Sequence, residues 1–352
     1  MKEKNFWKGK KVFVTGHTGF KGGWLVQTLK ALGAQIKGYA LEPNTNPNFY
    51  HSSKVEKDII SEIGDIRNSE KLTKSLIDFN PDIVFHLAAQ PLVRYSYENP
   101  RETYEVNVIG TLNLLEAMRS IPSIKAGVLI TTDKCYENKE WDYGYKEIDP
   151  MGGYDPYSSS KGCCELLISS YRNSFFKHSK TKIASARAGN VIGGGDWSDD
   201  RLVPDILRGL ENNQAPVLRN PLAIRPWQHV LEPISGYLKL AEKLCDNEAG
   251  LDEGWNFGPN DSDCKSVEWI TNRLIELTNF PNKWEQDSAF NPHEANLLKL
   301  DISKAKNRLG WKPKWNIDIS LQKIIEWHNI FLINANTEEI TNKQILEYLN
   351  HE

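Results

Sequence analysis

The sequence predicts an α/β protein, a Rossmann-type doubly wound parallel sheet carrying a smaller C-terminal α/β substrate lobe. Three observations predict it. Short β-branched runs alternate with longer amphipathic stretches through the first half of the chain. A G-x-x-G-x-x-G run follows the first of them directly. After Asn190 the alternation weakens into Gly193-Gly194-Gly195 and a region rich in Pro and Trp.

Strands are expected at Lys11–Thr15, Gln35–Ala40, Asp82–Leu87, Gly127–Thr131 and Lys182–Arg187. Between them, helical periodicity covers Gly22–Leu32, Ser69–Asp78, Thr103–Ser120 and Pro156–His178. Ligands of such sheets sit beyond the carboxyl ends of the strands, so Thr15, Leu87, Thr131 and Arg187 mark one rim. Shorter helical patterns follow at Pro204–Glu211, Pro233–Cys245, from Asp301 to near Gly310, and at Ile319–Leu332. The division this gives is a dinucleotide-binding domain over 1–189, a mainly substrate-binding lobe over 190–335 that can interleave with it, and a polar tail over 336–352.

Composition narrows the function classes. Lys and Arg total 43 against 46 Asp and Glu, a net charge of −3, which gives no electrostatic case for nucleic acid or an anionic membrane. No apolar run reaches the roughly 18 residues of a membrane helix, and residues 1–11 lack the apolar core of a signal peptide. Five Cys, two of them adjacent at Cys163 and Cys164, suit reduced thiols, so the cytoplasm is the expected compartment. No Cys or His spacing matches a metal site.

At the cofactor end, Gly16, Gly19 and Gly22 stand between the first strand and the first helix, with Thr18 and Phe20 among them. Glycines there let backbone approach a pyrophosphate, and the helix N-terminus offers unpaired N–H groups. The acidic residue expected about 20 positions on, to hold ribose hydroxyls, is Glu42. No Arg lies between Gly33 and Tyr50 to take a 2′-phosphate, so NAD is favoured over NADP.

At the chemical end, Tyr157 and Lys161 are four apart on one expected helix face. A phenol titrates near pH ~10, and a neighbouring ammonium together with the positive nicotinamide would favour its phenolate. Tyr50 and Lys54 have the same spacing but lie among Asn and Pro, with no helix or rim expected to place them. Tyr157 is distinguished by its position after the strand ending at Thr131, where Thr132 offers a hydroxyl.

These elements resemble the extended short-chain dehydrogenases/reductases over residues 10–330. The resemblance implies that Tyr157 takes a proton from a sugar hydroxyl while hydride passes to NAD, that Lys161 tunes it, and that Thr132 orients the same hydroxyl. It also implies that Asp65 and Ile66 flank the adenine, that Leu87, Ala88 and Ala89 let the cofactor lie against backbone, and that Asn107 steadies the helix near the active site. Within this superfamily the NAD-dependent sugar epimerases and dehydratases divide at Thr131-Thr132-Asp133-Lys134. Epimerases have no use for an acid at Asp133, whereas 4,6-dehydratases use one to protonate the departing 6-hydroxyl once carbon 4 is a ketone. The dTDP-glucose dehydratases place a Glu next as the carbon-5 base. Here Lys134 stands there, as a base of lowered pKa or a stabiliser of the enolate.

That Lys, the run Cys135-Tyr136-Glu137-Asn138-Lys139-Glu140-Trp141, Gly152-Gly153-Tyr154-Asp155-Pro156-Tyr157 and Arg187 to Trp197 are similar to the CDP-glucose dehydratases. The substrate this implies is CDP-glucose, with Asn190 reaching its diphosphate. Arg201, Arg219 and Arg225 are candidates to neutralise phosphate, Trp227 to stack on the pyrimidine, and Gln90 and Arg94 to face the sugar. His229, in the same segment as Arg225, reads as structural. A homodimer is implied through a four-helix contact including Thr103–Ser120 and Pro156–His178, with a tetramer as the alternative.

Overall fold

The β-branched runs are strands because both of their faces are covered. In the computed structural model, which describes residues 2–287 and 295–351, seven strands build one sheet. They are β1 (Lys11–Thr15), β2 (Gln35–Ala40), β3 (Ile60–Ile63), β4 (Ile83–His86), β5 (Ala126–Ile130), β6 (Lys182–Arg187) and β7 (Gly254–Asn256). The order is β7-β6-β5-β4-β1-β2-β3, with every pairing parallel. Helix Phe20–Ala31 covers one face with Trp24, Leu25 and Leu29; the other is filled by Leu72, Leu76, Leu114, Met118 and Ile168. Strands β4 and β5 are accordingly buried at every residue. The chain reverses its direction of growth between β1 and β4, which opens a crevice at the carboxyl ends of the central strands.

Two strands of this sheet lie outside those expected from the sequence. β3 is a largely exposed edge strand whose Ile60-Ser61-Glu62-Ile63 carries little apolar signal. β7 returns from the second half of the chain to pair with β6, so the two halves share one sheet. The helix expected over Thr103–Ser120 is three pieces: Pro100–Tyr104, a π-helical turn Glu105–Ile109, and Gly110–Arg119. Helix Pro156–Tyr171 likewise passes into a π-helical turn, Arg172–Phe176.

The expected polar tail is corrected. Thr337–Asn350 is a helix docked by Thr337, Ile340, Thr341, Gln344, Ile345 and Tyr348, all buried. Its apolar stripe is diluted by Thr and Gln, which hydrogen bonding makes compatible with burial: the Thr341 hydroxyl accepts from Trp327 Nε1 at 2.9 Å. Tyr348 donates to the buried Glu232 carboxylate at 2.7 Å, where Trp315 N also donates at 2.7 Å. Among the described residues no helix is long and apolar enough to cross a membrane.

Candidate active site

The crevice is a cleft of about 610 Å³ lined from the carboxyl ends of the strands and from the segments 190–206 and 216–227. At its cofactor end, Gly16 has φ +77°. A Cβ there would lie 2.6 Å from Ala88 N, and one on Gly22 would lie 2.0 Å from Gly16 O. Both glycines are therefore required by close backbone packing, while Gly19, with no such contact under 3.5 Å, is the N-cap of the helix mouth facing the cleft. The turn presents the orphan N–H groups of a helix N-terminus to whatever occupies the cleft. Thr18, Phe20, Glu42, Asp65, Ile66, Leu87, Ala88 and Ala89 all line it.

Asp65 is held by Arg67, whose guanidinium donates to it at 2.6 and 2.9 Å and keeps its carboxyl below the usual range. Behind Leu87, the Thr15 hydroxyl receives Leu87 N at 3.1 Å and meets His86 Nδ1 at 2.7 Å; His86 Nε2 meets Thr111 at 3.0 Å. Burial pushes the His86 pKa down to about 3, so it is a neutral strut that ties β1 and β4 to helix Gly110–Arg119.

Tyr157 and Lys161 project from one face of helix Pro156–Tyr171, which Asp155 caps by accepting from Ser158 N at 2.9 Å. Both side chains are buried and line the cleft. The Tyr157 phenol hydrogen-bonds Thr132. Burial pushes its pKa up to about 12, against the lowering effects of Thr132 and Arg201. The Lys161 ammonium donates to Ile130 O at 3.4 Å, and its own pKa is lowered by burial. Desolvation is the largest influence on this phenol, and positive charge in the cleft acts against it.

One turn along the same face, Glu165 accepts from the Thr131 hydroxyl at 2.5 Å, from Ser185 at 2.7 Å and from Arg187 at 2.7 Å. This buried set fixes the helix against the ends of β5 and β6. Beside it, Asp133 opens a short 3₁₀ turn, Asp133–Cys135. Its Oδ1 accepts from Thr132 Oγ1 at 3.0 Å, and burial raises its pKa, with Lys134, Thr132 and Arg225 acting the other way. The site therefore places a phenol, a hydroxyl and a carboxyl biased toward its acid form along one cleft wall.

A family model described as GDP-mannose 4,6 dehydratase matches residues 13–324. The chain is 52% identical over 354 residues to a CDP-glucose 4,6-dehydratase of Salmonella typhimurium, covering 99% of each. It is 28% identical to a GDP-mannose 4,6-dehydratase of Vibrio cholerae, covering 87% of this chain and 90% of that one. The chain belongs to the GDP-mannose 4,6-dehydratase family. Among solved structures, dTDP-glucose 4,6-dehydratase of Bacillus anthracis in complex with NAD shares the fold, with a TM-score of 0.77 at 22% identity, covering 91% of this chain and 97% of that one.

Membership of this dehydratase family directs attention to the substrate end of the cleft, where the arginines are positioned but not idle. Arg94 and Arg219 both donate to Asp200, at 3.2 and 3.3 Å, and Arg201 to Asp196 at 3.3 Å. Arg225 is buried, donating to Ile224 O at 3.0 Å. Trp227 is buried and donates to Lys265 O at 2.9 Å, with Asn190 nearby in the left-handed region at φ 46°. All six line the cleft, as does Lys134.

Gln90, expected to face the sugar, and Asn107, expected to steady the helix near the active site, do not line it. Asn107, in the π-helical turn, clamps the Gln90 backbone through bonds of 2.8 and 3.1 Å and reaches Ser160 at 2.8 Å; the Gln90 side chain turns away to Thr103 at 2.8 Å. Asn107 is thus a brace between the strand-end loop and the Tyr157 helix. His229 is buried edge-on to Trp24 and Trp315.

Lys21 escaped the sequence reading, although it stands inside the glycine run. It lines the cleft, and burial, then Arg201 and Lys161, bring its pKa down to about 7. Its position beside Phe20 at the helix mouth was the available signal. For Glu165, that signal was its place four residues beyond Lys161.

Proposed function

We propose that this enzyme converts CDP-glucose to CDP-4-keto-6-deoxyglucose and water, using NAD that is regenerated in each cycle. The observation that carries the dehydratase chemistry is Asp133, buried beside Thr132 and Tyr157 with its carboxyl biased toward the protonated form. The nucleotide is supported by the relative that is 52% identical.

The glycine turn fits a dinucleotide pyrophosphate, because Gly16 and Gly22 leave no room for a Cβ and keep the helix mouth open. Glu42 would hold its ribose, while Asp65 and Ile66 would hold the adenine. Bound there, NAD supplies the acceptor for the carbon-4 hydrogen and the donor that later reduces carbon 6. Tyr157 accepts the proton of the 4-hydroxyl, and Thr132 orients that hydroxyl. Lys161 supplies positive charge behind the phenol and anchors to Ile130 O. Once carbon 4 is a ketone the carbon-5 proton is acidic; a base on the cleft wall takes it while Asp133 gives its proton to the 6-hydroxyl as water leaves, and a proton returns to carbon 5 as carbon 6 is reduced. Lys134 stands next to Asp133 on the cleft wall, as that base or as a cation that stabilises the enolate. Arg201, Arg219 and Arg225 would face the diphosphate, Asn190 would bind it, and Trp227 would pack on the cytosine.

The assembly proposed is a homodimer through the helices of 100–119 and 156–176, where Ile109, Leu166 and Phe175 are exposed. The five free thiols and a nucleotide-sugar substrate suit the cytoplasm.

The test is proton NMR of the purified protein with NAD and, separately, CDP-, dTDP-, GDP- and UDP-glucose. A new 6-methyl doublet from CDP-glucose alone is expected. A carbon-4 epimer with no methyl signal overturns the dehydratase reading, and a methyl signal from a different nucleotide overturns the CDP assignment.

A further inference from the structure

Beyond the end of β6 the chain continues through Ala188 and Gly189 along the cleft wall. No left-handed φ marks Gly189, so alanine can adopt its backbone conformation. What excludes a side chain is a contact. A Cβ on Gly189 would lie 1.8 Å from Asp133 Oδ2, 1.9 Å from Asp133 Cγ and 2.2 Å from Oδ1, and so would coincide with the carboxyl group.

The glycine cannot easily move aside. Its carbonyl accepts from Gln228 Nε2 at 3.3 Å, the same amide donates to Phe257 O at 2.8 Å, and Phe257 N donates to Arg187 O at 2.8 Å. Gln228 N donates to Asn190 O at 3.3 Å on the other side. Asp133 is held in turn through Oδ1 by Thr132, while its buried Oδ2 has no hydrogen-bond partner among the described residues. A buried carboxyl oxygen without a partner is costly and calls for an explanation.

We propose that Gly189 is a positioning residue for the elimination step: its missing side chain is the slot that holds the Asp133 carboxyl, with one oxygen on Thr132 and the other uncommitted. This rests on the reading of Asp133 as the acid. Whether a site of this architecture stops at oxidation of carbon 4 or proceeds to loss of water then depends on residue 189 as well as residue 133. A methyl group at 189 must displace the carboxyl, because the backbone that would carry it is pinned on both sides.

The test is a double-mutant cycle on Gly189→Ala and Asp133→Ala, with NAD and CDP-glucose. It follows reduced-nicotinamide absorbance and the 6-methyl product in single turnovers. Gly189→Ala is expected to retain carbon-4 oxidation, accumulate reduced cofactor and slow elimination about a hundredfold, the scale of an ångström-level misplacement. In the Asp133→Ala background, which removes the carboxyl, adding Gly189→Ala is expected to change elimination by no more than about twofold. Normal elimination in Gly189→Ala overturns the proposal, as does an equal fractional loss in both backgrounds. If Asp133→Ala alone eliminates at the parent rate, the acid assignment falls and takes the proposal with it. Should Gly189→Ala fail to fold, the double variant must fold, since the clash is gone; an unfolded double variant overturns the proposal.

Discussion

Two tyrosine–lysine pairs in this chain share one spacing and differ in everything else. Tyr157 and Lys161 lie within one helix of 16 residues, with both side chains buried in the cleft wall and the phenol on Thr132. Tyr50 lies on a helix of 4 residues, Phe49–Ser52, a turn the sequence reading did not expect, and Lys54 falls beyond its end at φ 48°. The Tyr50 phenol meets Ser61 Oγ at 2.7 Å, while Lys54 reaches out to Glu338 at 3.8 Å. A four-residue interval brings side chains together only where one helix spans both residues. It becomes chemistry only where that helix ends on a cleft.

The contrast can be broken by mutation. Tyr157→Phe is expected to lower turnover by a hundredfold to about ten-thousandfold, the range of general acid–base catalysis. Tyr50→Phe should leave turnover at the parent value, and a comparable loss in both variants would erase the distinction. Asp133→Asn sharpens the contrast from within the site. It should still reduce bound NAD yet release 6-methyl product about a hundredfold more slowly, leaving reduced cofactor visible by absorbance.

Glu165→Gln tests the support behind the Tyr157–Lys161 pair. It leaves the buried Arg187 guanidinium without its carboxylate, and a loss of about 3–5 kcal/mol in denaturant unfolding is expected. A stability within error of the parent would mean that the ion pair does not brace the helix. The smallest effect belongs to the other pair: Lys54→Met removes an exposed ion pair and should cost no more than about 1 kcal/mol in the same assay.

The sequence carried the parts of this fold in which local pattern and tertiary role agree. β1, β2 and β6 begin and end where the sequence places them, because their apolar residues both suit extended backbone and fill the core. The glycine turn was legible from Gly16 and Gly22 for the same reason: strand, turn and helix are contiguous in sequence. β3 and the helix Thr337–Asn350 were not legible. The first is an exposed edge, and the second buries Thr and Gln on its inner face. Within the site, Tyr157, Lys161, Thr132 and Asp133 could be read because they sit at strand ends or one helical turn apart. The turning of Gln90 toward Thr103, the sharing of Asp200 by Arg94 and Arg219, and the seat of Asp133 against Gly189 depend on segments distant in sequence. No local pattern encodes them.

The central claim is that one site oxidises carbon 4, eliminates water and reduces carbon 6 without outside reductant. Its most direct test is conversion of CDP-glucose deuterated at carbon 4, read by NMR of the product. The account predicts deuterium in the 6-methyl group. Deuterium retained at carbon 4, or a methyl group formed without it, would contradict the account.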